Sequence, residues 1–508
     1  MHTRRSRLLL SLFVPSCILL QGVAACGPDT SRNATNQDVV VIIDTTDAGI
    51  DMSEDLDASQ DRRDEGPDMV IPEDMTATDA GDMEEADATP DASGSVTYSF
   101  PDEAVACATN PRFEEAKPIL SGGKNNPSGR GEQGAVFDPC HARVVLFGGN
   151  DSQPAQCNSF GAKNYVADTW AYSLEHENWY RINSASQSAP SARGRHATAL
   201  DLSRKRMMLF GGRFRPAEQS SGNYTTYNEL WAFDLNADTW EKIEQSGDIP
   251  SPRFNTAMIY DPKRDRLVLF GGNSNPNGLN LTPLGDTYTF DLATSTWTRH
   301  TPTRSPSARL YHAMTYDPVK DQAVIFSGGD ENAFLGPFFS DLWGLDLETM
   351  QWSLLHESNR RPGSPLGRIN PSLVADPENA RIVLFGGHDD SALGNSNDLW
   401  AFDVNTQNWS LVRAGDVYTG DGCNSFCSCA ETFVEYDQQS PERRQYATFI
   451  KVEEAQEAIL FSGTGDCGYM DDTWTLDLDT NTWTEVQAAE QGIACARTGR
   501  QDCTELCY

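Results

Sequence analysis

The sequence of 508 residues lacks an apolar segment long enough to span a membrane. Its N-terminal apolar run, Leu8 to Leu20, is interrupted by Pro15 and is shorter than the roughly 20 apolar residues that a transmembrane helix requires. Three arginines precede the run, and a basic start followed by a short apolar stretch is typical of a secretory signal peptide. The sequence therefore predicts an exported protein whose signal peptide covers residues 1–25.

Aromatic residues are absent from residues 27–93, and basic residues are rare there. The segment holds 20 Asp and Glu against three arginines, a net charge of −17. Such a composition cannot bury enough apolar surface to offset the entropy of ordering the chain, and its like charges repel one another. Residues 26–93 are therefore predicted to form a disordered acidic tether.

Positive charge is scarce overall, and the formal net charge of the protein is −35. Setting aside the tether and the three signal-peptide arginines leaves −21 for residues 94–508. An acidic folded domain argues against binding to nucleic acid or to an anionic membrane surface, because like charges repel. The sequence thus predicts no nucleic-acid partner.

Residues 23–26, Val-Ala-Ala-Cys, resemble the lipobox of bacterial lipoproteins, whose cysteine is lipidated and becomes the new N-terminus. An ordinary cleavage site with an incidental cysteine is the alternative, but the long polar tether after Cys26 favours the lipoprotein. The next residue, Gly27, is not the Asp that retains such lipoproteins at the inner membrane. The resemblance therefore implies a lipid anchor such as palmitate on Cys26, an outer-membrane address and no other membrane contact.

The chain repeats one pattern six times between residues 130 and 487. Each copy opens with an arginine and reaches a glycine 19 positions later. The pairs are Arg130 and Gly149, Arg193 and Gly212, Arg253 and Gly272, Arg309 and Gly328, Arg368 and Gly387, and Arg444 and Gly463. Self-similarity at a period of roughly 50 residues predicts a solenoid or a propeller.

Each repeat contains four short predicted strands, a to d. Strand a is predicted to start at the arginine, and an apolar run such as Arg266–Phe270 predicts a buried strand b before the glycine. An acidic residue followed two positions later by an aromatic one, as in Asp341 and Trp343, marks strand c. A tryptophan begins strand d, and its flat side chain suits packing between neighbouring sheets.

The glycine doublets, the acid-x-aromatic signal and the closing tryptophan together resemble kelch repeats over about residues 112–487. The resemblance implies an all-β fold, a six-bladed β-propeller with one four-stranded blade per repeat. The blades are expected at residues 130–183, 193–244, 253–301, 309–356, 368–413 and 444–487. Residues 94–129 and the Cys-rich tail 488–508 are expected to help close the ring rather than to build a seventh blade.

Loop length varies on only one face of the predicted propeller. Because strands in a blade are antiparallel, the a–b and c–d turns share one face, and the b–c and d–a connections share the other. The b–c span falls from 19 residues in blade 1 to 9 in blade 6, and the longest d–a connection joins Trp409 to Arg444. Variable loops on a rigid scaffold usually carry binding sites, so we expect the ligand on this variable rim.

Specific rim residues are candidates for ligand binding. In kelch domains with known ligands, arginines near the repeat-opening position contact acidic peptide groups, and the resemblance extends this role to four of them. These are Arg193, Arg253, Arg309 and Arg368. The alternative is that each repeated arginine makes the same internal bond, to the acid before the strand c aromatic. The other rim candidates are His196, His312, His388, Tyr224, Tyr227, Phe334, Phe338 and Phe339.

The aromatic rim candidates are expected to be exposed anchors, since aromatic side chains dominate many interfaces. Cysteine content gives a second expectation, because an even number in an exported domain predicts disulfides without fixing their connectivity. The ten candidates are Cys107, Cys140, Cys157, Cys423, Cys427, Cys429, Cys467, Cys495, Cys503 and Cys507. The cluster at residues 423–429 has no histidine nearby, so no metal site and no cofactor are expected.

Two kinds of function are compatible with this sequence. The first is a monomeric, lipid-anchored binding module that grips a protein or a glycan at the variable rim. The second is a carbohydrate-active enzyme such as a sugar mutarotase or epimerase, which needs only an acid–base pair. The eight histidines are scattered, and no copper or iron ligand motif is recognisable. Binding is the expected function, and no catalytic residue is assigned.

Overall fold

The computed structural model describes Cys107 and residues 126–490, apart from gaps at 152–163, 185, 187, 220, 279, 334, 358–362, 392, 420–433, 453–454 and 467. The signal peptide, the tether and residues 491–508 of the C-terminal tail lie outside the described residues. The described part of the chain contains strands and turns but no helix. The fold is therefore all-β.

Six antiparallel sheets of four consecutive strands form the blades of a propeller. Blade 1 has strands Gly134–Asp138, Arg143–Phe147, Thr169–Ser173 and Asn178–Ile182. Blade 2 has Ala197–Asp201, Arg206–Phe210, Leu230–Asp234 and Thr239–Ile243. Blade 3 has Ala257–Asp261, Arg266–Asn273, Pro283–Asp291 and Thr296–His300. The six-bladed ring predicted from the repeats is confirmed.

The other three blades follow the same order of strands a to d. Blade 4 has Ala313–Asp317, Gln322–Phe326, Leu342–Asp346 and Gln351–His356. Blade 5 has Ser372–Asp376, Arg381–Asp389, Asn395–Asp403 and Asn408–Arg413. Blade 6 has Thr448–Val452, Glu457–Gly465, Gly468–Asp477 and Thr482–Gln487.

Short two-residue strands decorate the blades. Ser246–Gly247 runs parallel to strand d of blade 3, and Arg368–Ile369 pairs with strand b of blade 5. Two further pairs lie in rim loops. They are Arg213–Phe214 with Thr225–Thr226, and Val417–Tyr418 with Val434–Glu435.

The core is divided between the blades. Strand b is covered on both faces by neighbouring sheets, so its residues are apolar without alternation, and Val144 to Phe147 are fully buried. The tryptophan of strand d packs against the preceding blade, as Trp179 of blade 1 does against Phe461 of blade 6. This tryptophan also donates its indole N–H across the junction to Thr473, at 3.0 Å. Each blade thus buries its sheet only through its neighbours.

The prediction that strand a starts at the repeat-opening arginine is wrong by four residues, because the ladder of blade 3, for example, begins at Ala257 and not at Arg253. Asn255, two residues after the arginine, has a φ of +55°. A residue in this left-handed region breaks the run of a strand. Each repeat therefore places a short separate segment between its arginine and strand a.

Two serines stand where the other repeats have the first glycine of the doublet. Ser327 and Ser462 have φ values of +67° and +60°, a region that normally favours glycine. The Ser462 hydroxyl accepts the N–H of Arg130 at 2.9 Å and lies 2.5 Å from that residue's carbonyl oxygen, which closes the ring between blades 6 and 1. The Ser327 hydroxyl makes the same contacts to Arg368, at 2.7 and 2.6 Å, between blades 4 and 5.

The first residue of strand b supplies a different link. In blades 1, 3 and 5 it is an arginine that donates to a carbonyl oxygen of the next blade. The pairs are Arg143 with Leu235, Arg266 with Leu347, and Arg381 with Leu478. In blades 4 and 6 this position holds Gln322 and Glu457, so the two blades that contain the serines lack the arginine.

Candidate functional site

The mouth of the propeller on the variable rim is built from one residue of each blade. The six residues lie two positions after the repeat-opening arginine, and all have φ between +52° and +66°. They are Glu132, Arg195, Asn255, Tyr311, Asn370 and Tyr446. Together they line one cavity of about 160 Å³. We call this cavity, with these six residues, the rim mouth.

Backbone hydrogen bonds join four of the six neighbouring pairs of the rim mouth. The N–H of Arg195 donates to the carbonyl of Glu132 at 2.8 Å, and the N–H of Asn255 donates to the carbonyl of Arg195 at 3.0 Å. The same bond joins Asn370 to Tyr311 at 2.8 Å and Tyr446 to Asn370 at 3.3 Å. The backbone is therefore nearly uniform around the ring while the side chains differ, an arrangement suited to recognition on a rigid frame.

Charge in the rim mouth is concentrated around Glu132. Its carboxylate lies 2.8 Å from Arg195 and 3.2 Å from Arg213, and all three side chains are at most 10% exposed. Burial by itself would lower the pKa of Arg195, but the Glu132 carboxylate and the neighbouring tyrosines together outweigh it, and the pKa lies well above its usual value. Two guanidinium groups therefore face one carboxylate in the rim mouth.

Aromatic rings surround these guanidinium groups. Arg195 donates to the Tyr311 hydroxyl at 2.8 Å and lies 5.0 Å from the centre of the Tyr446 ring. On the blade 2 side, Arg213 lies 4.1 Å from the centre of the Tyr224 ring. Such cation–π contacts hold the guanidinium planes in place without a hydrogen bond.

Two candidate histidines, His196 and His312, line the rim mouth one residue further along the chain. Burial, together with the nearby Arg193 guanidinium, lowers the pKa of His196 to about 3. A hydrogen bond with the Phe147 backbone, which favours the charged form, offsets only a small part of this decrease. Burial beside Arg309 lowers the pKa of His312 to about 3 as well. Both imidazoles are therefore uncharged at neutral pH.

The repeat-opening arginines lie inside the blades. Each donates to the acid before the strand c aromatic of its own blade, at 2.6–3.1 Å, which confirms the internal bond weighed from the sequence. The four named as ligand candidates, Arg193, Arg253, Arg309 and Arg368, are fully buried. Each also donates to the carbonyl 18 residues later, as Arg368 does to Gly386 at 3.0 Å. They position the rim backbone and do not line the cavity.

The aromatic candidates do not form an exposed set, and the expectation of exposed anchors is wrong for Tyr224 and Phe338, which are 4% and 7% exposed. Tyr224 is covered because the arginines of its hairpin stack on it, and Phe338 packs with Leu310, Ala333 and Ile369.

The remaining aromatic candidates are partly covered or outside the described residues. Tyr227 and Phe339 are half-buried and stack on Arg193 and Arg309, at 3.9 and 4.5 Å from the ring centres. His388 is buried against Phe338. Phe334 lies outside the described residues.

The insertion between blades 5 and 6 is held at its base by buried charges. Arg443 bridges Asp416 and Asp466 at 3.0 and 2.6 Å, and Arg443 and Asp416 are at most 2% exposed. Asn397 donates to Asp416 and to the Ser440 hydroxyl, both at 3.0 Å. The ends of this long connection are therefore fixed to the propeller at the variable rim.

Two of the ten candidate cysteines form a disulfide. Cys107 and Cys140 are joined, with sulfurs 2.05 Å apart, which ties the segment before blade 1 to the a–b turn of that blade. The other eight candidates lie outside the described residues: Cys157, Cys423, Cys427, Cys429, Cys467, Cys495, Cys503 and Cys507. The expectation that residues 94–129 and 488–508 close the ring stays a prediction.

Sequence reasoning missed the six residues that define the rim mouth, although His196 and His312 beside them are candidates. Glu132, Arg195, Tyr311 and Tyr446 are not among the candidates, because the arginine shared by all six repeats is the stronger sequence signal. The sequence does carry a signal for these positions. The residue two positions after the arginine varies among the blades, whereas the residues that define the repeat around it recur. A position that varies inside an otherwise repeated frame is a candidate for ligand recognition, because packing of the repeat does not dictate its side chain.

Within the described ranges, no group of three or more His, Cys, Asp or Glu side chains could hold a metal ion. The same part of the chain has no helix long and apolar enough to cross a membrane.

Comparison with known proteins identifies relatives of the propeller. The family model described as the KLHDC2/KLHL20/DRC7 Kelch-repeats domain matches residues 108–316, 204–430 and 319–504. Mei4-dependent protein 6 of Schizosaccharomyces pombe is 24% identical over 309 residues, which are 58% of this chain and 41% of that protein. Acyl-CoA-binding domain-containing protein 5 of Arabidopsis thaliana is 30% identical over 202 residues, 39% of this chain and 28% of that protein. The chain thus spans less than half the length of these curated relatives.

Proposed function

Because the chain belongs to the kelch-repeat domain family, we propose that it is a binding module that receives a segment of a protein partner at the rim mouth. Kelch propellers generally mediate protein interactions. The observation that carries the proposal is the set of six side chains of four kinds, Glu, Arg, Asn and Tyr, on one uniform left-handed backbone ring. A site of this kind is pre-organised, so binding a partner costs little ordering of the protein.

The chemistry of the rim mouth suggests how such a segment is held. Arg195, Asn255 and Asn370 offer hydrogen-bond donors, and the rings of Tyr311 and Tyr446 offer flat apolar faces. A cavity of about 160 Å³ has the volume of roughly five water molecules in the liquid, so it takes one side chain or a chain end rather than a whole peptide. The surrounding rim loops and the base of the 414–443 insertion would contact the rest of the partner.

The replacement Tyr446→Ala is expected to weaken partner binding at least about tenfold, because one aromatic wall of the rim mouth is lost. The matched control is Tyr316→Ala, which removes a half-buried tyrosine at the opposite end of the channel. Proximity labelling and cross-linking in the native membrane would first identify the partner, and calorimetry would then compare the two variants with the parent.

Equal affinity of the Tyr446→Ala variant and the parent would contradict the proposal, as would a loss confined to Tyr316→Ala. A glycan that binds at the rim mouth in place of a protein would also contradict it. Rapid exchange of a sugar's anomers, measured by NMR, would favour the alternative of a sugar mutarotase.

We further place the module outside the cytoplasm, tethered through Cys26 to the outer membrane by the acidic segment 26–93. The support is the sequence pattern alone: a basic start, a short apolar run, a lipobox-like tetrapeptide and a self-repelling spacer. Mass spectrometry of the membrane fraction is expected to find an acylated Cys26 at the N-terminus. A Cys26→Ser protein that fractionates with the membrane as the parent does would contradict the anchor.

A further inference from the structure

A second cavity opens at the opposite end of the central channel, on the face of the a–b turns. Its volume is about 270 Å³, larger than that of the rim mouth. Strand a of every blade contributes to its wall, and prolines 262, 318 and 377 of the a–b turns frame its entrance. We call this cavity the lower chamber. Because six strands fix its wall, its shape exists before any ligand binds.

The wall of the lower chamber is apolar for most of its surface. Leu200, Met314 and Ile450 line it while remaining only half-buried, so their apolar surface faces the chamber or solvent. Two tyrosines at its edge have their hydroxyl groups committed to neighbouring carboxylates. Tyr260 donates to Asp265 at 3.0 Å, and Tyr316 donates to Asp321 at 3.1 Å. An apolar cavity of this size favours an apolar guest over water.

One cation interrupts this apolar wall. Lys451, on strand a of blade 6, is the only charged side chain among the described residues that line the lower chamber. Its side chain is 9% exposed, and the chain as a whole has only eight lysines. Its partners are both carboxylate oxygens of Glu378 and the carbonyl of Ala455, each 3.4 Å away, at the long end of hydrogen bonding. The ammonium group therefore keeps the capacity for a closer anionic partner.

We propose that the lower chamber binds a small apolar carboxylate, with the apolar body against the strand a side chains and the carboxylate on Lys451. A ligand that matches both the apolar wall and Lys451 needs an apolar body and a negative charge. An apolar molecule alone would not pair with the ammonium group, and an inorganic anion would not contact the apolar side chains. With the volume of about nine liquid water molecules, the chamber takes a chain of roughly eight carbons. This site is separate from the rim mouth and does not depend on its function.

Calorimetric titration of the full chain with octanoate and with octan-1-ol tests the assignment. The parent is expected to bind one octanoate, and Lys451→Gln is expected to weaken octanoate binding about tenfold because a charge-assisted hydrogen bond is lost. The affinity for octan-1-ol is expected to stay the same in both proteins, since the alcohol does not need the charge. Lys451→Arg is expected to restore most of the affinity for octanoate.

Lys320→Gln is the matched control, because Lys320 is an exposed lysine of the blade 4 a–b turn and does not line the lower chamber. Ala375→Trp, which fills the chamber from strand a of blade 5, is expected to abolish binding of both probes. Equal octanoate affinity in the parent and Lys451→Gln would overturn the proposal, as would absence of binding at millimolar octanoate. Preference for a peptide with an apolar C-terminal residue over octanoate would overturn the assignment to a small molecule. Tyr446→Ala should leave octanoate binding unchanged, which separates this result from the function of the rim mouth.

Discussion

Arg444→Met is expected to lower the free energy of unfolding by about 3–5 kcal/mol. Arg444 is 1% exposed and donates to both carboxylate oxygens of Asp472 at 2.6 Å. Asp472 is itself 2% exposed, so without the guanidinium its charge remains buried with little compensation beyond the indole N–H of Trp474 at 2.9 Å. Urea unfolding at pH 7 measures the loss.

A more exposed ion pair, between strand d of blade 5 and the insertion that follows it, supplies the control. Arg413→Met removes the partner of Asp437, where the two side chains are 26% and 16% exposed, and we expect a loss below about 1 kcal/mol. The double replacement Arg444→Met with Asp472→Leu is expected to recover part of the stability, because no unpaired charge is then buried. Similar losses for Arg444→Met and Arg413→Met would show that the buried pairs are not what stabilises the blades.

Acid should destabilise the propeller through His196 and His312. Each has a folded-state pKa of about 3, against roughly 6.5 in an unfolded chain. Between these values the unfolded state binds a proton that the folded state does not, so stability falls as pH falls. The loss approaches about 1.4 kcal/mol per pH unit for each histidine below pH 6, and is complete near pH 3.

Urea unfolding at pH 7, 6, 5 and 4 measures this slope. His312→Gln is expected to remove about half of the pH dependence that the two histidines cause, since a neutral amide replaces one buried imidazole. His176→Gln, at an exposed turn of blade 1, is the control and should leave the slope as it is in the parent. A parent and a His312→Gln variant with the same slope would contradict the assignment.

The repeat made most of the fold predictable. Six registers of the same arginine, glycine, acid and tryptophan fixed the number of blades, the order of strands and the internal bond between Arg444 and Asp472. These features follow from local pattern, because each blade solves the same packing problem with the same residues. A single repeat would have given a much weaker prediction.

The rim mouth was not predictable by the same reasoning. A residue such as Tyr311 follows its arginine by two positions and gives no sign in the sequence that its φ is +63°. The left-handed backbone turns its side chain toward the channel, whereas the predicted strand would have continued through it. Tyr224 is the opposite case: an aromatic residue in a loop is expected to be exposed, but two arginines of its own hairpin cover it.

The two serines that replace a doublet glycine make two of the blade junctions alike. Each blade takes its four strands from one repeat, so the junction between blades 6 and 1 uses no exchanged strand and resembles the junction between blades 4 and 5. Ser462 and Ser327 make the same hydroxyl contacts to Arg130 and Arg368 at these two places. The junction between blades 4 and 5 joins blades that are consecutive in the chain, and the junction between blades 6 and 1 joins the last blade to the first. In a circularly permuted chain that starts at blade 5, the junction between blades 6 and 1 would become continuous, and the junction between blades 4 and 5 would join the two ends of the propeller. Comparing its melting temperature with that of the parent would show whether chain connectivity at these junctions contributes to stability.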